Sequence, residues 1–194
     1  MKIIILRHAK RYGSPLFETS LTEEGIQRAT KLIELLREYE IDEIYASPFL
    51  RVLQTIYPYC YATGRKVCIE NSFYECLKAD EFTYHNYRHY VSELFEEHPE
   101  FGNIIEKYDS YMNVANVSYV ETDIDIQNRV YRFMWKLKKK YGNTDKTILI
   151  ATHMTICNTV KKYFDKSVNF KDDFPQGSFE IIEVPKETTS TDCI

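Results

Sequence analysis

Arg7 and His8 follow directly on an uninterrupted apolar run, Ile3-Ile4-Ile5-Leu6. Four consecutive apolar residues read as a strand covered on both faces, the pattern of a parallel sheet. Open α/β sheets bind ligands at the carboxyl ends of their strands, so this pair stands at the mouth of a crevice. An arginine fork can bind two oxygens of a phosphoryl group at once. A neutral imidazole nitrogen can attack phosphorus and split one difficult transfer into two easier ones. An Arg-His pair after a strand also occurs as a structural feature, so its meaning depends on what accompanies it.

Three further groups hold equivalent positions. Ser47-Pro48-Phe49-Leu50-Arg51-Val52-Leu53-Gln54-Thr55 follows a second strand, Glu75 lies past a third, and His153 follows the apolar run 147–151. Arg51 would be a second phosphate clamp. His153 would donate to the transferring oxygens and stabilise their developing charge. Glu75 would protonate the leaving oxygen and then take a proton from water. At neutral pH that role requires a carboxyl whose pKa is raised by burial or a neighbouring phosphate. Glu70 and Glu81 are the alternatives if the loop runs differently. Singly, each piece has a plain structural reading: Ser47-Pro48 as a helix start, Arg51 as a surface ion-pair partner, His153 as a core histidine.

Together and in this order, the pieces resemble the histidine phosphatase superfamily (phosphoglycerate-mutase-like, branch 1), over roughly residues 2–184. That family carries Arg-His-Gly or Arg-His-Ala near its N-terminus, then Ser-Pro-x-x-Arg-x-x-Gln-Thr, a mid-chain Glu and a late His. The resemblance implies a metal-independent phosphatase with no cofactor, acting on a phosphomonoester through a phosphohistidine. It assigns His8, Glu75 and His153 to catalysis and Arg7 and Arg51 to phosphate binding. Arg11 joins them because Arg-His-Ala-x-Arg is similar to the phosphatase domain of the T-cell-signalling suppressor proteins, although Lys10 replaces the usual Glu. Met154-Thr155 departs from the common Gly-Gly after the late His. Two alternatives stay open: a phosphoglycerate-mutase-type phosphomutase, and a non-catalytic phosphate- or phosphoprotein-binding module. The partner expected is a small phosphorylated substrate, with a phosphoprotein also admissible.

Positioning these groups requires strands alternating with helices: an α/β three-layer sandwich with a mostly parallel central sheet flanked by helices. Strands are expected at 2–6, 43–46, 66–70, 147–151 and 179–184. Thr22 caps a first helix to about Glu38 with Glu23 and Glu24 in its first turn, and Ile26, Ala29, Ile33 and Leu36 form its apolar stripe. Ser47 caps a second, with Pro48 at its first position and Pro58 ending or kinking it. Ile126, Val130, Phe133, Leu137 and Tyr141 mark a third, capped by Asp123 or Asp125 and stopped at Gly142. A fourth spans 155–164. One domain covers 1–184, with 185–194 a flexible tail. By the resemblance, about 78–122 is a variable cap that sets substrate choice; 82–97 reads as a helix within it.

The chain's 194 residues suit one substantial core, and 44% hydrophobic and 28% charged residues are those of a soluble globular protein. A net charge of −4 argues against a general nucleic-acid binder. No apolar run reaches membrane-span length. Five cysteines without metal-type spacing suggest free thiols and a reducing, cytoplasmic setting. His85, His89 and Glu93 share one face of a helix, which suits a solvated face better than a metal. No motif reports on the oligomeric state.

Overall fold

The computed structural model describes residues 1–14, 16–77, 93–113, 115 and 120–186. Five strands, β1 (Lys2–Arg7), β2 (Ile41–Ala46), β3 (Cys68–Ile69), β4 (Thr147–Thr152) and β5 (Phe179–Glu183), form one sheet in the order β3-β2-β4-β1-β5. The first four run parallel, and β5 pairs with β1 antiparallel. The helices are α1 (Glu23–Arg37), α2 (Leu50–Thr63), α3 (Asp123–Tyr141) and α4 (Met154–Phe164).

Side chains alternate across each strand, so each buried run feeds two cores. Ile4, Leu6, Leu149 and Ala151 join Leu32, Leu36, Val52 and Ile56 on the α1/α2 face. Ile3, Ile5, Ile148 and Ile150 join Val130, Phe133, Ile156 and Val160 on the α3/α4 face. The expected three-layer sandwich results, and continuous Ile/Leu runs suit strands covered on both sides.

Local signals account for most helix ends. The Thr22 hydroxyl accepts from the Gly25 N–H, and Glu23 and Glu24 occupy the first turn of α1. Its buried face is Gly25, Ala29, Leu32 and Leu36, while Ile26 is exposed, so the apolar stripe is rotated from the one expected. The cap of α3 is Thr122, not either aspartate. Its hydroxyl accepts from the Asp125 N–H and the Asp125 carboxylate accepts from the Thr122 N–H, a reciprocal capping box. Helix α2 starts at Leu50 after Phe49, not after Ser47, and runs through Pro58 to Thr63. The third strand shrinks to two residues. Residues 93–97 are helical and end before Pro99; the rest of the expected 82–97 helix lies outside the described residues, as do His85, His89, Glu81 and the tail beyond 186. Among the described residues no helix is long and apolar enough to cross a membrane, and Cys60, Cys68, Cys76 and Cys157 are free thiols.

Candidate active site

The sheet register brings the two histidines together. Arg7 pairs with Thr152 across β1 and β4, so His8 and His153 leave neighbouring parallel strands at the same level. The His8 N–H donates to Thr152 O at 2.9 Å, and the imidazole rings meet edge-to-face with centroids 5.3 Å apart. Ser47 leaves β2 beside them, its N–H on Ala151 O. Glu75 arrives from the irregular segment beyond β3 and the 3-10 turn Asn71–Phe73.

His8 is buried, and its Nδ1 lies 2.8 Å from the carbonyl of Ala9. A carbonyl only accepts, so Nδ1 carries the proton and Nε2 presents its lone pair. The loop after His8 is tied down by the second motif. Thr55 Oγ1 accepts from the Ala9 N–H at 2.9 Å, and Gln54 Oε1 accepts from the Leu21 N–H at 2.8 Å.

Arg51 lies at the centre, fully buried on α2. It donates from Nη1 to Leu16 O at 2.7 Å and from Nε toward His8 Nε2 at 3.4 Å. Its Nη2 lies 3.3 Å from both Glu75 Oε2 and His153 Nδ1. Glu75 Oε2 is also 3.3 Å from His153 Nδ1, and its other oxygen accepts from the Cys76 N–H. The Glu75 side chain is 18% exposed, so solvent and ligands reach it. Arg7 donates to Phe174 O, while its buried Nε has no acceptor among the described residues.

Burial, reinforced by the positive charge of Arg51, holds both histidines well below the usual imidazole pKa. Both rings are therefore neutral at pH 7, beside two arginines balanced by one carboxylate. The site is electropositive inside a chain of net charge −4, which favours an anion. His8, Glu75 and His153 offer ligand atoms within 4.8 Å of one another, a spacing a metal ion could use. The Arg51 guanidinium already points at all three, so a cation there would face a fixed positive charge.

Four of the six expected site residues, His8, Arg51, Glu75 and His153, thus meet in one set of contacts, while Arg7 bears on both histidines by charge and donates to Phe174 O. Arg11 does not join their hydrogen bonds: its guanidinium folds back onto the carbonyls of Tyr12 and Gly13. Its charge still bears on His8. Glu70, the alternative acid, is fully buried and accepts from the N–H groups of Ser72, Tyr111 and Met112 and the hydroxyls of Tyr108 and Ser110. It anchors the 108–112 loop instead. Met154 opens α4 with its side chain packed into the α3/α4 core. One residue of the site was not anticipated: Ser47 Oγ lies 2.8 Å from His153 Nε2. The Ser-Pro motif contains it, but its helix-cap reading hid this contact.

Two neutral imidazoles at the ends of parallel strands, with the buried Arg51 guanidinium of α2 between them, make a site that favours an anion. The chain belongs to the histidine phosphatase superfamily, branch 1, whose family model matches residues 3–190. It is 26% identical over 160 residues to phosphoserine phosphatase 1 of Hydrogenobacter thermophilus, covering 79% of this chain and 71% of that one. Its fold matches a phosphoserine phosphatase of Entamoeba histolytica, solved as a histidine-to-alanine variant with phosphoserine (TM-score 0.62, 18% identity, 93% and 89% of the two chains). It also matches a mycobacterial glucosyl-3-phosphoglycerate phosphatase (TM-score 0.64, 14% identity, 93% and 88%). Membership and these relatives support a phosphatase role.

Proposed function

We propose that the chain is a metal-independent phosphatase that hydrolyses a small phosphomonoester through a phosphohistidine at His8. The observation that carries this reading is the Arg51 guanidinium set against His8 Nε2, His153 Nδ1 and Glu75 Oε2. These are the three groups that must act on one phosphorus, and the cation among them marks where its oxygens go. The substrate phosphate takes Arg51 and the unmatched Arg7 Nε as donors. His8 Nε2 bonds to phosphorus as the ester P–O bond breaks, and Glu75, which takes up a proton as the dianionic phosphate binds beside it, gives that proton to the departing oxygen. His153 donates to a transferring oxygen. Water then attacks the phosphohistidine, Glu75 recovers a proton from it, the N–P bond breaks, and inorganic phosphate leaves. The named substrates of the relatives, phosphoserine and glucosyl-3-phosphoglycerate, support a small phosphorylated metabolite as the substrate class.

The test is hydrolysis of an aryl phosphate with EDTA present, comparing the protein with His8→Ala. Loss of the nucleophile removes at least ~4 kcal/mol of transition-state stabilisation, or about a thousandfold in rate. With a 32P-labelled ester, quenching in alkaline detergent during turnover, which spares the acid-labile N–P bond, traps label on the wild-type protein and none on the variant. Equal rates in the two proteins, or activity abolished by EDTA, refutes the reading.

A further inference from the structure

Glu75 sits on a segment that no helix or strand holds, yet its carboxylate is aimed at His153. The grip comes from Arg129, deep in α3. Arg129 is buried and donates from Nε and Nη2 to the two oxygens of Glu121, at 2.7 and 3.0 Å. Its Nη1 donates to Ser72 O at 2.7 Å, and Nη2 reaches Glu75 O at 3.4 Å. The guanidinium lies 3.7 Å over the Tyr74 ring. Glu121 completes the hold, accepting from the Tyr74 hydroxyl at 2.6 Å and the Leu77 N–H at 3.3 Å. One ion pair therefore grips the chain at 72, 74, 75 and 77, on both sides of Glu75.

From this geometry we infer that Arg129, with Glu121, is the positioning device for the Glu75 carboxylate, and so for proton delivery to the leaving group. The inference rests on the reading of Glu75 as general acid. Arg129 meets backbone and Glu121, not the reacting atoms, so it acts through Glu75. A buried ion pair is a poor source of net stability, because desolvation offsets most of its attraction. Apolar residues could fill the same volume, but they could not hold the carbonyls of Ser72 and Glu75. Lysine keeps the charge and loses the planar fork that meets Glu121 and Ser72 together.

Proton donation matters in proportion to the basicity of the leaving oxygen. The decisive readout is kcat/KM, which reports the first transfer to His8, across phosphate esters from nitrophenyl to alkyl. Glu75→Gln steepens the dependence on leaving-group pKa, with a loss on alkyl esters of about a hundredfold or more. Arg129→Lys steepens it in the same sense, the alkyl ester losing at least about tenfold more than the nitrophenyl ester. If Arg129→Lys does not fold, the pair Arg129→Met/Glu121→Leu restores an apolar core and gives the same steepening. A uniform loss across esters, or no loss, in an Arg129 variant overturns the positioning role while Glu75→Gln remains steep. A flat Glu75→Gln profile instead overturns the reading of Glu75 itself, and the inference with it.

Discussion

The two buried imidazoles should make the protein's stability fall in a defined pH window. His8 and His153 are 2% and 0% exposed, and desolvation and Arg51 both depress their pKa values. In the unfolded chain each reverts to the ordinary value near 6.5. The folded pKa is below the unfolded one, so on acidification the unfolded chain takes up the protons first. The stabilisation is complete above pH 6.5 and is lost as pH falls toward the folded values. With an unfolded value near 6.5, linkage sets an upper limit of about 2 kcal/mol per ring on the loss between pH 7 and pH 5, or about 4 kcal/mol for the pair. That is a large part of a typical domain's stability. Urea unfolding at several pH values, in phosphate-free buffers, would measure it. Carboxylates titrate in the same range, so the comparison is with the double variant His8→Gln/His153→Gln. Its pH dependence should be shallower by up to that amount, whatever its absolute stability. Parallel stability curves would refute the account of two neutral, desolvated rings.

Two other perturbations separate catalysis from architecture. Ser47→Ala removes the hydroxyl beside His153 Nε2 and leaves a buried ring nitrogen without its partner. It should cost about 1–3 kcal/mol of stability and lower turnover by about tenfold as the ring loses its fixed tautomer; unchanged activity and urea midpoint would exclude that role. Glu70→Gln removes a charged acceptor from three N–H groups and two hydroxyls. It should destabilise the fold by about 2–4 kcal/mol, with activity at low temperature kept within a few fold. Protease cleavage within 108–112 would report the release of that loop, and resistance equal to wild type would count against it.

How far these features could be read in advance depended on whether their cause was local. The apolar runs of β1 and β4 announced buried parallel strands, and the polar residues closing them announced the site. Thr22 and its two glutamates capped α1 as written. The same local logic misread Ser47, because its hydroxyl serves a histidine 106 positions away. It also misplaced the stripe of α1, where Ile26, Leu32, Ile33, Leu35 and Leu36 offer more apolar positions than one face can bury. The sheet chose Leu32 and left Ile26 in solvent. Pro58 did not end α2, whose next two residues, Tyr59 and Cys60, are buried in the core and hold the helix across the missing N–H. The Arg129–Glu121 grip had no local signature at all. It joins a helix to an irregular segment some fifty residues earlier, and only the tertiary fold creates it. Arg11 shows the reverse case: the motif suggested a pocket residue, and the guanidinium found carbonyls of its own loop first.

The sheet order has a consequence for assembly. β1 lies between β4 and β5, both of which come far later in the chain. Both its hydrogen-bonding edges, and the Ile3/Ile5 face that packs on α3 and α4, therefore wait for the later part of the chain, while Ile4 and Leu6 can meet α1 and α2 early. Such long-range pairing is slow, because loop closure must come before any contact rewards it. His8 stands at the tip of that waiting strand and meets His153 only when β4 docks. The site should thus remain unassembled until synthesis has passed β4. Any fragment ending before residue 147 would leave both edges of the Ile3-Ile4-Ile5-Leu6 strand without a partner. The segment that carries His8 into the site is the same one that a stalled or truncated chain would offer for aggregation.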